Sequence, residues 1–327
     1  MIRIETIDAH TAGEPLRLIL KGFPPVEGRT ILEQREFVRE HYDHLRRALM
    51  LEPRGHADMY GALLTPPEHP GSHAGVLFMH NEGFSTMCGH GIIAVATIAI
   101  ERGLLDVPVD EDGTARLVLD APAGPIEATA RVVPADNGRR VQSVRFTNVP
   151  SFVLHPALSI AVGSRHVRVD VAFGGAFYAI VDSESVGVPI LPERLPDLRR
   201  VGMEIKHAVE QVVTVEHPLE PELRGIYGTI FTGPPSDERA DLRNVTIFAD
   251  AEVDRSPCGT GTAAVMAVLH AMGILTEPDQ VFTHESIIGS RFRGRVLGKS
   301  PLGPTDGEVQ PIEAIIPEIE GEAYITG

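Results

Sequence analysis

Two segments of the chain repeat each other, and each begins at one of the two cysteines in 327 residues. The segments are 88–105 and 258–275, and they align without a gap. Identical residues occur at Cys88/Cys258, Gly89/Gly259, Gly91/Gly261, Ala94/Ala264, Val95/Val265, Gly103/Gly273 and Leu105/Leu275. Because the two segments lie roughly half a chain apart, we expect two similar halves, each supplying one thiol.

After its cysteine, each segment continues with apolar, alanine-rich residues that stop at Gly103 or Gly273. Alanine is the best helix former, and a glycine just past the last apolar residue commonly ends a helix. The pattern therefore predicts that Cys88 and Cys258 each lie at the N-terminus of a buried helix.

The start of a helix carries unpaired N–H groups and the positive end of the helix dipole. We therefore expect a lowered thiol pKa, which favours a reactive thiolate, and a backbone site suited to a carboxylate. If the two helix starts meet where the halves join, they would hold one carboxylate between two thiols.

Simpler interpretations of the cysteines fit less well. A lone buried cysteine is usually a small apolar residue, but the repeat argues against chance. Two cysteines do not make the disulfide framework of a secreted protein. A zinc site is not expected, because Cys88 and His90 are close but no CxxC pair or HExxH motif is present. The glycines also do not form a GxGxxG phosphate loop after a strand.

The cysteine motifs resemble the two signatures of the proline racemase family. They are residues 87–91 (MCGHG) and 254–262 (DRSPCGTGT); residues 8–17, 51–61 and 173–178 resemble further blocks of that family. The resemblance covers nearly the whole chain. It implies a diaminopimelate epimerase-like α+β fold of two pseudo-symmetric domains, each a curved mixed β-sheet around a central helix. It also implies that no cofactor is needed, and the missing ligand motifs predict no metal.

Inversion of an amino acid at Cα needs a base on one face and an acid on the other. Cys88 and Cys258 suit both roles, because general acid–base catalysis works best when the pKa lies near the working pH. One sulfur would be thiolate and the other thiol, with the roles exchanged for the opposite enantiomer. Preorganised N–H donors would stabilise the charge that builds up on the carboxylate.

The family resemblance also assigns substrate-binding roles. The N–H donors would be the backbone of Gly89, His90, Gly259 and Thr260, and Asp254 with the His90 side chain would hold the ring nitrogen of the substrate. Other interpretations stay open: Asp254 as a helix cap or turn residue, and His90 as a packed, hydrogen-bonded histidine. Four aromatic residues are either pocket walls or core, namely Tyr60, Phe177, Tyr178 and Tyr227.

Residues at a few positions distinguish the racemases, epimerases and dehydratases of this family. Racemases and epimerases keep both cysteines, whereas trans-3-hydroxyproline dehydratases have threonine at the second, so Cys258 favours inversion. The 4-hydroxyproline 2-epimerases usually carry a histidine in the loop before the second motif, and residues 224–231 contain none. However, residues 226–230 resemble the dehydratase branch, as do residues 52–56, which proline racemases share.

We therefore expect a cofactor-independent isomerase, a proline racemase first of all, with proline or hydroxyproline as its small-molecule partner. Alternatives are a trans-3-hydroxy-L-proline dehydratase, a 4-hydroxyproline 2-epimerase, and a protein without turnover that binds amino acids or switches by a disulfide. The resemblance further implies a homodimer.

Charge and apolar content indicate which partners and which location to expect. The net charge of −16 argues against nucleic acid as a partner. No apolar run approaches the roughly 20 residues of a membrane span, and the N-terminus lacks an apolar signal core. With so few cysteines, the chain is expected in the cytoplasm. Family members usually continue beyond residues 323–327, so we expect either a shorter protein or a shortened sequence.

The chain length predicts two domains. We expect the first to span 1–122 plus about 312–327 and the second 123–311, with a crossover near 121–124. Apolar spacing predicts helices at 31–50 and 191–213. Short β patterns predict strands at 2–7, 16–20, 75–79, 117–119, 126–128, 144–146, 167–171 and 245–248.

Overall fold

The computed structural model describes residues 2–136, 138–277, 279–303 and 311–327. The chain divides into two compact units, one made of Met1–Thr147 with Glu320–Gly327 and the other of Asn148–Ile319. Both units combine helices with mixed sheets, which confirms the predicted α+β class.

The helices and strands are numbered along the chain. The first unit holds β1 (Glu5–Thr11), β2 (Glu14–Lys21), α1 (Ile31–Met50), β3 (Tyr60–Thr65), β4 (Ala74–His80), β5 (Phe84–Ser85), α2 (Gly89–Glu101), β6 (Thr114–Ala121), β7 (Gly124–Ala135) and β8 (Gly138–Thr147). The second holds β9 (Ser151–Val162), β10 (Arg165–Phe173), β11 (Phe177–Asp182), α3 (Ser183–Val186), α4 (Leu195–Val212), β12 (Ile226–Gly233), β13 (Leu242–Phe248), β14 (Glu252–Asp254), α5 (Gly259–Ala271), β15 (Phe282–Glu285) and β16 (Arg291–Lys299). The chain then forms β17 (Ala314–Gly321) and returns to the first unit as β18 (Ala323–Ile325).

The two units repeat one topology. In the first, the strand order is β18-β1-β2-β3-β4-β6-β7-β8, with β2/β3 and β4/β6 parallel and β5 added to β4. In the second, it is β17-β9-β10-β11-β12-β13-β15-β16, with β11/β12 and β13/β15 parallel and β14 added to β13. Parallel neighbours need a crossover connection, and a helix supplies it in each case. The sequence repeat is therefore part of a repeat of the whole unit.

One apolar helix lies at the centre of each unit. All residues of α2 from Gly89 to Ile100 are buried. This helix contacts strands from both ends of its sheet, including β1, β8 and β18, so the sheet curves around it. Both central helices are followed by a glycine in the left-handed region, Gly103 (φ 60°) and Gly273 (φ 74°), as predicted. No helix in the described part of the chain is both long and apolar enough to cross a membrane.

Gly174, in the sequence Phe173-Gly174-Gly175, allows helix α5 to pack directly on backbone. A Cβ atom at Gly174 would lie 2.2 Å from the Thr260 carbonyl oxygen and 2.6 Å from the Ala264 nitrogen. Only a residue without a side chain permits this approach. This glycine therefore places the first turn of α5 against the connection between β10 and β11.

Helix α1 begins and ends where the sequence predicts, at Ile31 and Met50. The Thr30 hydroxyl accepts a hydrogen bond from the Glu33 N–H at 3.1 Å, and the Glu33 carboxylate accepts one from the Thr30 N–H at 3.4 Å. This reciprocal pair is a capping box. Helix α4 begins at Leu195, later than predicted, after a short 3-10 turn at Pro192–Arg194.

Other boundaries differ from the prediction. The first unit ends at Thr147 rather than 122, because β7 and β8 extend the sheet of β6, and residues 121–124 form only a tight turn. The return to the first unit begins at Glu320 rather than 312, because Ala314 and Ile315 pair with β9. Residues 224–231 are not a loop but mostly strand β12. Met1 and residues 304–310, which the domain prediction included, lie outside the described residues.

The capping box of α1 gives a stability prediction. Replacing Thr30 with Ala removes the acceptor for the Glu33 N–H, and we expect the free energy of unfolding to fall by about 1 kcal/mol. Urea unfolding followed by circular dichroism measures this loss. Thr30→Ser keeps the hydroxyl and should stay close to wild type; equal losses in both variants would contradict the assignment of the cap.

Candidate active site

Cys88 lies directly before α2 in extended backbone, with its side chain buried. Its Sγ accepts a hydrogen bond from the Gly91 N–H at 3.2 Å, so the sulfur caps the helix. A Cβ atom at Gly91 would lie 2.4 Å from Phe78 Cε1 and 2.8 Å from Cys88 Sγ. Glycine at the third helical position is therefore needed for the sulfur to reach the backbone.

His90 lies beside this thiol. Its Nδ1 is 3.4 Å from Cys88 Sγ and its Nε2 is 3.5 Å from it. The ring stands edge-on to Tyr60, with 4.8 Å between centroids, and the His90 carbonyl accepts a hydrogen bond from the Thr11 hydroxyl at 2.8 Å. His90 is thus a packed histidine, and its ring nitrogens lie within hydrogen-bond distance of the Cys88 sulfur.

Cys258 caps α5 in the equivalent way, with Sγ accepting from the Gly261 N–H at 3.3 Å. Its backbone differs from that of Cys88, because its φ of 61° lies in the left-handed region. Non-glycine residues seldom adopt that region, and such strain costs about 1–3 kcal/mol. The conformation persists because neighbouring groups fix the turn on both sides of the cysteine.

Asp254 organises the turn before Cys258. Its Oδ1 accepts hydrogen bonds from the Ser256 N–H at 2.8 Å and the Ser256 hydroxyl at 2.7 Å, and the Ser256 Oγ accepts from the Cys258 N–H at 3.1 Å. Burial raises the pKa of Asp254 to about 6, although the bonds from Ser256 oppose that rise. Asp254 therefore acts as a turn residue here, and its contact with a substrate nitrogen stays a prediction.

A buried polar network holds the Pro257 carbonyl on the other side. That oxygen accepts hydrogen bonds from Asn244 Nδ2 at 3.0 Å and the Thr262 hydroxyl at 3.1 Å. The Nε2 atom of His284 lies 2.8 Å from Asn244 Nδ2, and its Nδ1 atom lies 2.9 Å from Thr262 Oγ1. All donors are satisfied if His284 is neutral with its proton on Nδ1, and burial lowers its pKa to about 3.

Two hydroxyl groups contact the Cys258 sulfur. The Tyr178 hydroxyl lies 3.7 Å from Sγ, and Thr260 Oγ1 lies 3.7 Å from it. The two oxygens are 2.6 Å apart. Tyr178 is fully buried, so the phenol contributes a hydroxyl to the site as well as core packing.

The expectation of a lowered thiol pKa is wrong for Cys258. Burial, followed by the charge of Asp254, raises the pKa of Cys258 to about 12. Hydrogen bonds from Tyr178, Gly261 and Thr260 act in the opposite direction but are outweighed. Desolvation disfavours a charged sulfur more than the helix start favours it, so Cys258 is a thiol in this state.

The predicted residues form one cluster in each unit. Cys88, Gly89 and His90 lie together at the start of α2, with Gly89 as its first residue. Asp254, Cys258, Gly259 and Thr260 lie together at the start of α5, with Gly259 as its first residue. Among the residues that the structure describes, no group of three or more His, Cys, Asp or Glu could hold a metal ion.

Sequence reasoning gave no role to Asn244 or His284, and it named Tyr178 only as a pocket wall or a core residue. A Tyr-Gly pair also repeats between the units: Tyr60-Gly61 starts β3, and Tyr227-Gly228 follows Ile226, the first residue of the equivalent strand β12. The ring of Tyr227 stands edge-on to Tyr178 with 5.9 Å between centroids, as that of Tyr60 does to His90. Of the other candidate aromatics, Phe177 belongs to the core of the second unit.

Comparison with known proteins identifies the family. The family model described as proline racemase matches residues 6–327. The chain belongs to the proline racemase family. As predicted, it is therefore an enzyme of the racemase type.

Individual relatives carry more specific names. The chain is 49% identical to a trans-3-hydroxy-L-proline dehydratase of Bacillus thuringiensis subsp. konkukian, over 98% of this chain and 92% of the relative. It is 43% identical to a 3-hydroxyproline 2-epimerase of Burkholderia multivorans, over 99% of this chain and 92% of the relative.

A solved structure confirms the predicted fold. It is a hydroxyproline epimerase from Agrobacterium vitis with bound trans-4-OH-L-proline, with a TM-score of 0.87 and 31% identity. The match covers 99% of this chain and 91% of that chain.

The buried network gives a pH-dependent stability prediction. Because the folded state lowers the pKa of His284 from 6.5 to about 3, the unfolded state binds an extra proton between these values. Stability from this group is therefore present above pH 6.5 and falls with decreasing pH by up to about 1.4 kcal/mol per unit.

The variant His284→Asn has no group here that takes up a proton on unfolding. Only the wild type therefore loses this stability as the pH falls, and the stability deficit of the variant relative to wild type should shrink from pH 7 to pH 4. Urea unfolding at several pH values measures the difference. His166→Asn, at an exposed position on β10, is the control and should keep a constant difference. A constant deficit for His284→Asn would contradict a buried neutral histidine.

Proposed function

We propose that this member of the family inverts Cα of 3-hydroxyproline by a cofactor-independent mechanism with two thiols. The observation that carries the proposal is the equivalence of Cys88 and Cys258. Each cysteine precedes the central helix of its unit, and each Sγ accepts the N–H of the third helical residue. Two thiols in equivalent positions match a reaction that needs one acid and one base.

In one direction, the Cys88 thiolate takes the Cα proton, so the Cα–H bond breaks and an S–H bond forms. The electron pair from Cα moves into the carboxylate. The Cys258 thiol then delivers its proton to the opposite face of Cα and becomes a thiolate. The reverse reaction exchanges the two roles, and no oxidant or reductant is involved.

The Cα proton is a far weaker acid than a thiol, so the developing charge on the carboxylate must be stabilised. The first turn of an α-helix has no intrahelical acceptors for its N–H groups. Gly89 and His90 begin α2, and Gly259 and Thr260 begin α5. We propose that these backbone groups bind the substrate carboxylate and donate most strongly as the charge grows.

The relatives guide the choice of substrate. The sequence favoured proline, whereas the named relatives of highest identity given above act on 3-hydroxyproline. We therefore place 3-hydroxyproline first, with proline and 4-hydroxyproline as weaker substrates. The homodimer and the cytoplasmic location stay predictions from the sequence.

A second candidate is dehydration of trans-3-hydroxy-L-proline, which the name of the relative at 49% identity favours. Cys88 would again take the Cα proton, the C3–O bond would break, and the hydroxyl would leave as water after gaining a proton. This reaction needs no acid on the opposite face of Cα, so it predicts that Cys258 is replaceable.

The substrate is tested by proton NMR in D₂O under reducing conditions. Separate samples contain trans-3-hydroxy-L-proline, L-proline and trans-4-hydroxy-L-proline. We expect Cα deuteration and build-up of the inverted isomer to be fastest with 3-hydroxyproline. Loss of its signals to a pyrroline would support the dehydratase, and no change in any sample would contradict both functions.

Single cysteine variants test the mechanism. Cys88→Ser and Cys258→Ser should each slow inversion by about 10² to 10⁴-fold, because serine is a much weaker acid and base than cysteine. Initial rates with the best substrate measure the loss, and circular dichroism checks that each variant is folded. If Cys258→Ser inverted at the wild-type rate, the mechanism with two thiols would be wrong.

A further inference from the structure

We propose that Tyr178 is a positioning residue that, with Thr260, hydrogen-bonds the Cys258 sulfur in both of its protonation states. The inference rests on the proposed function, in which Cys258 must alternate between thiol and thiolate. It adds a residue to the site that neither the cysteine motifs nor the names of the relatives assign.

The geometry is a closed triangle of three polar atoms. The Tyr178 oxygen and Thr260 Oγ1 each lie 3.7 Å from Cys258 Sγ and 2.6 Å from each other. All three side chains are buried. The sulfur therefore lies next to two hydroxyl groups in a largely buried part of the unit.

Hydroxyl groups suit a sulfur that changes its charge. Each can donate one proton and accept others, and its O–H can turn toward the better partner. When Cys258 is a thiol, the Tyr178 O–H can donate to Thr260. When Cys258 is a thiolate, both O–H groups can turn toward the sulfur without movement of any heavy atom.

The electrostatic surroundings show why the thiolate needs such donors. Burial and the nearby Asp254 of β14 both raise the pKa of Cys258, whereas Tyr178, the Gly261 N–H and Thr260 lower it. Among the neighbouring groups, Tyr227 of β12 raises the pKa of Tyr178, and Arg255 lowers the pKa of Asp254. Removing the phenol oxygen takes away one donor to the sulfur, while burial and Asp254 continue to raise the pKa of Cys258.

The first unit supports its thiol differently. Beside Cys88 stands the His90 imidazole ring, whereas Thr260 occupies the equivalent position beside Cys258. The two thiols are therefore not interchangeable, although the helices that they cap are equivalent. Tyr178 and Thr260 compensate in the second unit for the missing imidazole.

Tyr178→Phe is a suitable test because the ring is held independently of its hydroxyl. Tyr178 pairs with Gly228 of the neighbouring strand, and Tyr227 packs edge-on against it. The control is Thr229→Val, which removes an equally buried hydroxyl that donates to the Gly202 carbonyl at 2.7 Å. The Thr229 hydroxyl bonds a backbone carbonyl rather than the Cys258 sulfur.

The experiment measures alkylation by iodoacetamide at each cysteine, resolved by peptide mass spectrometry, from pH 6 to 10. Only the thiolate reacts. In Tyr178→Phe we expect the rate at Cys258 to fall about tenfold at a given pH, since a lost bond to a charged group raises the pKa by about one unit. Cys88 in the same sample, and both cysteines in Thr229→Val, should react as in wild type.

A second pair of variants covers the case in which Tyr178→Phe does not fold. Thr260→Val should slow alkylation of Cys258, and Thr260→Ser should restore it. If folded Tyr178→Phe, or folded Thr260→Val, alkylates at Cys258 with the wild-type rate and pH dependence, the proposal is wrong.

The alkylation assay needs no substrate, so it separates this proposal from the proposed function. A protein that inverts no amino acid can still show the shift at Cys258. Where inversion is observed, Tyr178→Phe should also move the pH profile of kcat to higher pH while KM changes less than twofold. A purely structural role for Tyr178 would lower the melting temperature and leave that profile in place.

Discussion

The hydrogen bond from the third helical N–H to a cysteine sulfur determines the rest of this site. It fixes Cys88 and Cys258 at the first turn of a buried helix, where backbone donors and a reactive atom lie together. The bond explains the Cys-Gly-x-Gly spacing, because a side chain at Gly91 or Gly261 would press against the sulfur. Each sheet then curves around its helix, and the same order of strands forms twice in one chain.

Equivalent folds do not produce equivalent thiols. Cys88 has extended backbone and a histidine beside it, whereas Cys258 has left-handed backbone, a carboxyl group nearby and two hydroxyl groups. Burial makes the charged form of Cys258 costly, and a helix start alone does not offset that cost. In a mechanism with two thiols, one sulfur must be a thiolate while the other carries the proton. Unequal surroundings favour the proton on one particular cysteine before the substrate reacts.

Much of this architecture could be predicted from the sequence because its signals are local. The repeat predicted both central helices, and apolar spacing predicted α1 with its ends at Ile31 and Met50. The unit boundary at Thr147 was missed, since only long-range pairing shows that β7 and β8 continue the first sheet. The network around His284 was missed for the same reason, and the pKa of Cys258 depends on burial that periodicity does not measure.

The central claim is that two different thiols handle the proton of one Cα atom. The most direct test follows the proton itself, by NMR and mass spectrometry of 3-hydroxyproline during the first few per cent of conversion in D₂O. With two thiols, the inverted product should carry deuterium from solvent from the start, while the remaining substrate keeps its protium. Product that retains the original proton would show that one group both removes and returns it, and would contradict the account.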